Sequence, residues 1–219
     1  MTDFIAAIFD LDGTLIDSFS AWKGSARKAL AAINHTLVDR EFDNLYLMTT
    51  EETNDYFYKI YESNRCAFGD SIPFDSVMDI VVSEMERQYE CGIAALPFAL
   101  EYVKTLHNRG IPVCVATLTP NDLAEKALAG IGFLPFLKFV ITGDDVGRSK
   151  KFPDIFLAAA ERLGAAPPET VVFEDSPTAI ITAHKAGFIV CRVVDAHQNY
   201  ADDISQHCDW SIKSFRELM

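Results

Sequence analysis

Near its start the chain carries two aspartates one residue apart, in Asp10-Leu11-Asp12-Gly13-Thr14-Leu15. They close an apolar run, Phe4 to Phe9, of the kind made by a strand covered on both faces. Side chains alternate along an extended chain, so Asp10 and Asp12 fall on one side at the strand's carboxyl end while Leu11 points away. Gly13 lets the backbone leave the strand through dihedrals that other residues avoid. Two carboxylates so placed repel each other unless a cation lies between them, and Mg²⁺ prefers such hard oxygen ligands. One carboxylate of the pair can attack phosphorus while the other handles protons. An ordinary acidic strand-to-loop turn gives the same short string.

Three further positions repeat the placement. Glu174-Asp175 ends the apolar run Val171-Val172-Phe173, Thr117 ends Val113 to Ala116, and Lys150 lies in the loop before a helix that begins at Pro153. Each has a plainer account: a helix cap for Asp175, a capping hydroxyl for Thr117, a solvated lysine for Lys150. Carboxylates, a hydroxyl and an ammonium all lie at strand ends or in the loop that follows. Jointly they point to a phosphate-handling site at one edge of a sheet.

The elements that must position them alternate. Apolar strand-like runs occur at Phe4–Phe9, Pro112–Ala116, Phe139–Thr142, Val171–Phe173 and Phe188–Val194. Helical segments at Phe98–Arg109, Asn121–Ala129, Pro153–Leu163 and Pro177–Ala186 separate the later ones. This is an α/β chain with βαβ units and a doubly wound, Rossmann-like parallel sheet. Thr119-Pro120 and Ser176-Pro177 read as N-cap hydroxyls before first-turn prolines, with Gly130 and Gly187 at the C-cap positions. Both proline-started helices follow strands, so their N-terminal amides gather at the sheet edge where ligands bind.

Residues 17–93 break the alternation. Trp22, Ala26, Ala29 and Ile33 recur at helical spacing, as do Phe42, Leu45 and Tyr46. So do Tyr56, Phe57, Ile60, Tyr61 and Asn64, and Phe74, Val77, Val81, Met85 and Tyr89. The expected organisation is a catalytic core of residues 1–16 and 94–219 with an inserted helical cap of residues 17–93. The Tyr and Phe stripes read as packing.

The net charge of −13 argues against a nucleic-acid partner, and the lack of a basic cluster argues against a membrane surface. No apolar run approaches the roughly 18 residues of a span. Five scattered cysteines without a C-x-x-C pair give no zinc or dithiol signal, and no signal segment opens the chain. A cytoplasmic location is expected.

Taken in order, these strings resemble the haloacid dehalogenase-like superfamily, in the branch whose helical cap follows the first strand and which includes β-phosphoglucomutase and sugar-phosphate phosphatases. Asp10-Leu11-Asp12-Gly13-Thr14, Thr117, Lys150 in Ser149-Lys150-Lys151-Phe152-Pro153-Asp154, and Phe173-Glu174-Asp175-Ser176 match its four motifs. The resemblance implies a Mg²⁺-dependent phosphatase acting on a small, sugar-phosphate-like monoester through an aspartyl-phosphate. Asp10 would be the nucleophile and Asp12 the acid/base. Mg²⁺ would be held by Asp10, the Asp12 carbonyl and Asp175, with Glu174 bound directly or through water. Thr117 and Lys150 would grip phosphoryl oxygens, Leu118 and Trp22 would touch substrate, and the enzyme would act as a monomer.

A phosphomutase like β-phosphoglucomutase is the alternative. Such relatives carry a His twelve residues after the nucleophile, where this chain has Trp22. A catalytically silent binding protein is a third reading, and an amine at Lys23 forming a Schiff base a fourth. The chain departs from the pattern at Pro97-Phe98 and Ala179, where glycines are usual, and at Pro120. The first two read as packing changes, and Pro120 touches the phosphate pocket.

Overall fold

The structure, a computed structural model, describes residues 3–45, 48, 50–194 and 202–219. Strand β1 (Ala6–Phe9) is followed by four helices, α1 (Phe19–Ala32), α2 (Asp39–Leu45), α3 (Thr50–Phe68) and α4 (Phe74–Cys91). Alternation then begins with α5 (Ala99–Asn108), β2 (Val113–Thr117), α6 (Asn121–Gly130) and β3 (Val140–Thr142). It continues through the short α7 (Gly143–Val146), α8 (Asp154–Leu163), β4 (Thr170–Glu174), α9 (Pro177–Lys185), β5 (Ile189–Val193) and β6 (Trp210–Ile212). The chain divides into two compact units, Ser18–Cys91 and Met1–Asp17 with Gly92–Met219.

In the larger unit six parallel strands form one sheet in the order β3-β2-β1-β4-β5-β6. The chain winds outward from β1 through β2 and β3, then returns to the other side of β1 for the rest. Winding therefore reverses between β1 and β4, and a crevice opens beyond the carboxyl ends of strands at such a point. The expected α/β, doubly wound architecture is what the chain adopts. Among the described residues the sixth strand is new, since Trp210-Ser211-Ile212 is too short to show a period.

The sheet is buried on both sides because its strands are apolar throughout. Ile8, Cys114, Ala116 and Val172 face Ile155, Phe156 and Ala159 of α8 and Ile180 and Ala183 of α9. On the other face Phe9 and Phe173 stack with centroids 4.4 Å apart, and Tyr102 of α5 and Phe215 pack edge-on or tilted against them. Ala179 is fully buried, which fits its reading as packing.

Several local expectations change. Ser176 makes no side-chain cap bond; its backbone N–H donates to Glu174 Oε1 at 3.2 Å instead. Gly130 is still helical, and the left-handed turn comes at Gly132, with φ +79°. Phe98 takes φ +66° at the start of α5, so the glycine usual there served the backbone and the change is not merely one of packing.

The helical unit has its own core: Phe19, Ala26, Ala29, Leu30, Phe42, Leu45, Phe57, Tyr61 and Val77 are buried together, with Trp22 and Tyr56 packed against them. The aromatic stripes are thus packing, with Tyr46 outside the described residues. Among the described residues no helix is long and apolar enough to cross a membrane.

Candidate active site

Register brings the acidic residues together. Phe9 of β1 pairs with Phe173 of β4, and Asp10 N–H donates to the Phe173 carbonyl at 2.9 Å. The next residues, Asp10 and Glu174, thus leave adjacent strands side by side, one step beyond the buried Phe pair. Their parity is that of Ile8 and Val172, so both side chains emerge on the α8 face. Lys150, in the loop before α8, meets them there. Its ammonium is hydrogen-bonded to Asp10 Oδ1 and to Glu174 Oε2, the latter at 2.7 Å. Lys150 is only 6 % exposed, so it is no solvated loop lysine.

Asp175 completes the cluster: ligand oxygens of Asp10, Glu174 and Asp175 lie within 4.8 Å of one another, all three residues buried. One ammonium among three carboxylates leaves excess negative charge in a site shielded from water. Burial, and then the Glu174 carboxylate, push the Asp10 carboxyl up to about 8, against the pull of Lys150. For Lys150 burial favours the neutral amine, but Asp10 and Glu174 outweigh it and hold the ammonium above the usual lysine range. A cluster that favours a proton on a carboxylate is one that a divalent cation suits, since the cation supplies the missing positive charge. The donor set, all carboxylate oxygen, fits a hard ion.

The turn after β1 is tight. Leu15 and Ile16 N–H groups both donate to the Leu11 carbonyl, and Gly13 N–H donates to the Ile16 carbonyl. Gly13 sits at φ +79°, and a Cβ there would lie 2.9 Å from Asp175 Cγ and closer still to Oδ2. The motif glycine thus serves both conformation and close approach to a candidate ligand. Thr14 Oγ1 donates to Asp175 Oδ1 at 3.5 Å.

Beyond β2 the structure corrects an expectation. Thr119 does not cap α6, whose N-cap is Pro120 without a side-chain bond. Its hydroxyl donates instead to Asp12 Oδ2 at 2.6 Å, and its N–H donates to Thr117 Oγ1 at 3.0 Å. Thr119-Pro120 also spells a cap, which hid this role. Period-2 spacing from Thr117 was the signal that could have revealed it.

Asp10, Asp12, Thr117, Lys150, Glu174 and Asp175 all occur at this edge of the sheet, with Leu118 beside Thr117 and 43 % exposed. Trp22 lies in the helical unit, part-buried against that unit's core. Lys23 is engaged within the helical unit: its ammonium is 3.0 Å from Asp39 Oδ1 and lies over Phe19 and Phe42.

Comparison with known proteins gives concordant results. Residues 7–193 match the haloacid dehalogenase-like hydrolase family. Hexitol phosphatase A of Escherichia coli is 31% identical over 191 residues, 85% of this chain and 80% of that protein. Phosphoglycolate phosphatase of the same organism is 28% identical over 222 residues, 93% and 87% of the two chains. A solved structure of a predicted phosphoglycolate phosphatase from Haemophilus somnus superposes with a TM-score of 0.82 at 20% identity, covering 100% of this chain and 97% of that one. With two-thirds of its length carrying the motif-bearing sheet and the match spanning nearly all of it, the chain belongs to the haloacid dehalogenase-like hydrolases.

Proposed function

We propose that this hydrolase is a phosphatase that cleaves a small, sugar-phosphate-like monoester, with Mg²⁺ as its ion and a reducing cytoplasm as its setting. The observation that carries the reading is the buried Lys150 bridge between Asp10 and Glu174 at the point where the sheet's winding reverses.

Asp10 attacks phosphorus with a carboxylate oxygen, and the bond to the ester oxygen breaks as an aspartyl-phosphate forms. Asp12 gives its proton to the departing alcohol. It then takes a proton from the water that attacks the aspartyl-phosphate, releasing phosphate and restoring Asp10. Lys150 keeps Asp10 oriented and offsets the charge gathering on the phosphoryl oxygens, while the Thr117 hydroxyl donates to one of them. Asp10, Asp175 and the Asp12 carbonyl would hold Mg²⁺, which supplies charge neutralisation at the phosphoryl group. Glu174 is engaged by Lys150 and the Ser176 N–H, so its main task is to anchor the lysine. The helical unit serves as the cap that selects substrate, and the enzyme acts as a monomer.

Phosphate release from hexose, pentose, hexitol and glycolytic phosphates with Mg²⁺ tests the reading, with Asp10→Asn as control. Asp10→Asn should lose several powers of ten while remaining folded; turnover near the wild-type rate would refute the mechanism. Trp22 has no acid/base chemistry, so phosphate release from β-glucose 1-phosphate should outrun its conversion to glucose 6-phosphate. The opposite order in ³¹P NMR would make the enzyme a mutase.

A further inference from the structure

The loop Thr117-Leu118-Thr119-Pro120 aims one hydroxyl at Asp12, and every local feature restricts where that hydroxyl can go. Thr119 is 8 % exposed. Its N–H is held by the Thr117 hydroxyl at 3.0 Å. Pro120, at φ −51°, disfavours helical dihedrals for the residue before it, and the β-branch limits χ1. The result is the 2.6 Å bond from Thr119 Oγ1 to Asp12 Oδ2, which joins residues 107 positions apart. The Thr-Pro pair thus builds a fixed donor.

We propose that Thr119 is a positioning residue for Asp12: by engaging Oδ2 it fixes the rotamer of the carboxyl group that delivers the proton to the departing alcohol. Without the hydroxyl the carboxyl group rotates about its own axis and spends less time aimed at the ester oxygen. The inference rests on the reading of Asp12 as the general acid. It concerns where that acid points, and Thr119 itself takes no part in bond making.

The test compares kcat/KM for an alkyl ester, a hexitol phosphate, with that for p-nitrophenyl phosphate. This parameter reports steps up to departure of the leaving group, and p-nitrophenolate leaves with little need of a proton. Thr119→Val keeps shape and removes the donor. It should lower kcat/KM for the alkyl ester by about 10- to 100-fold, the scale of a misplaced catalytic group, with a several-fold smaller loss on the aryl ester. Thr119→Ser should recover most of the alkyl activity. Equal losses of Thr119→Val on the two esters, or a folded Thr119→Ser no better than Thr119→Val, would overturn the assignment, because a structural defect does not sense the leaving group. Asp12→Ala separates the two levels of inference. If its own loss is no greater on the alkyl ester, the acid role of Asp12 fails. If that loss is greater while Thr119→Val matches wild type on both esters, only the positioning role fails.

Discussion

Replacing Gly13 with alanine adds one methyl group to the most crowded turn of the site. Two effects follow from the geometry. The backbone at φ +79° costs a residue with a Cβ about 1–2 kcal/mol, which appears as lost stability. The Cβ would also start 2.9 Å from Asp175 Cγ, whereas carbon atoms rest about 3.5–4.0 Å apart, so the carboxylate must retreat by roughly 0.6–1 Å. Sites of this kind need their ligands within about 0.5 Å of the productive position. Gly13→Ala should therefore weaken Mg²⁺ binding by about 10- to 100-fold, as displaced ligand supports do elsewhere. Denaturant unfolding with and without metal measures the first effect, and calorimetric titration of Mg²⁺ the second. Wild-type metal affinity in Gly13→Ala would refute the placement of Asp175 as a ligand. Unchanged metal-free stability would refute the strained turn.

Further expectations concern protons, metal and backbone. Asp10 is held near 8 in the fold against an ordinary value of about 4, so between those limits the folded chain keeps a proton that the unfolded chain loses. Metal-free stability should therefore fall as pH rises from about 4 to about 8 and level off above, and Mg²⁺ binding at pH 7 should release close to one proton, read by calorimetry in buffers of different ionisation enthalpy. No proton release would show that Asp10 is already ionised. Chelation should abolish activity and Mg²⁺ restore it, whereas Ca²⁺, which accepts more and longer oxygen contacts, should inhibit; full turnover in excess chelator would remove the metal from the mechanism. At Phe98, with φ +66°, Val should be about 1–2 kcal/mol less stable than Gly in denaturant unfolding, the reverse of the order at an apolar packing site.

Legibility in the sequence followed the range of the interaction concerned. Buried parallel strands are continuous apolar runs, so five of the described strands and the polar residues ending them could be read from short windows. Asp10, Thr117, Glu174 and Asp175 were visible because each interrupts such a run at its carboxyl end. Lys150 gave only a weak signal, a loop lysine before a helix, since a lysine between Ser149 and Lys151 shows nothing of the two carboxylates that bury it. Thr119 and Phe98 were misread for a different reason. A Thr-Pro pair spells an N-cap whether or not its hydroxyl turns to a carboxylate from another strand. An aromatic residue likewise gives no local sign of a left-handed backbone. The contact of Asp10 with Glu174 depends on a strand register set by residues more than 150 positions apart, and no local pattern encodes that.

The position of β1 in the sheet also bears on synthesis. Both neighbours of β1, β2 and β4, are made after the whole of the helical unit Ser18–Cys91. At about 5–20 residues per second, the roughly hundred residues between β1 and β2 take on the order of 5–20 s to translate, during which both edges of the strand lack their partners. The unit built in that interval buries a cluster of its own, from Phe19 to Val77, with Val81 packed against it. The nascent chain thus has one hydrophobic cluster to close while the strand that leads to Asp10 waits. Chaperone shelter would be needed most for the apolar stretch Phe4–Phe9, and least once Thr170–Glu174 has left the ribosome.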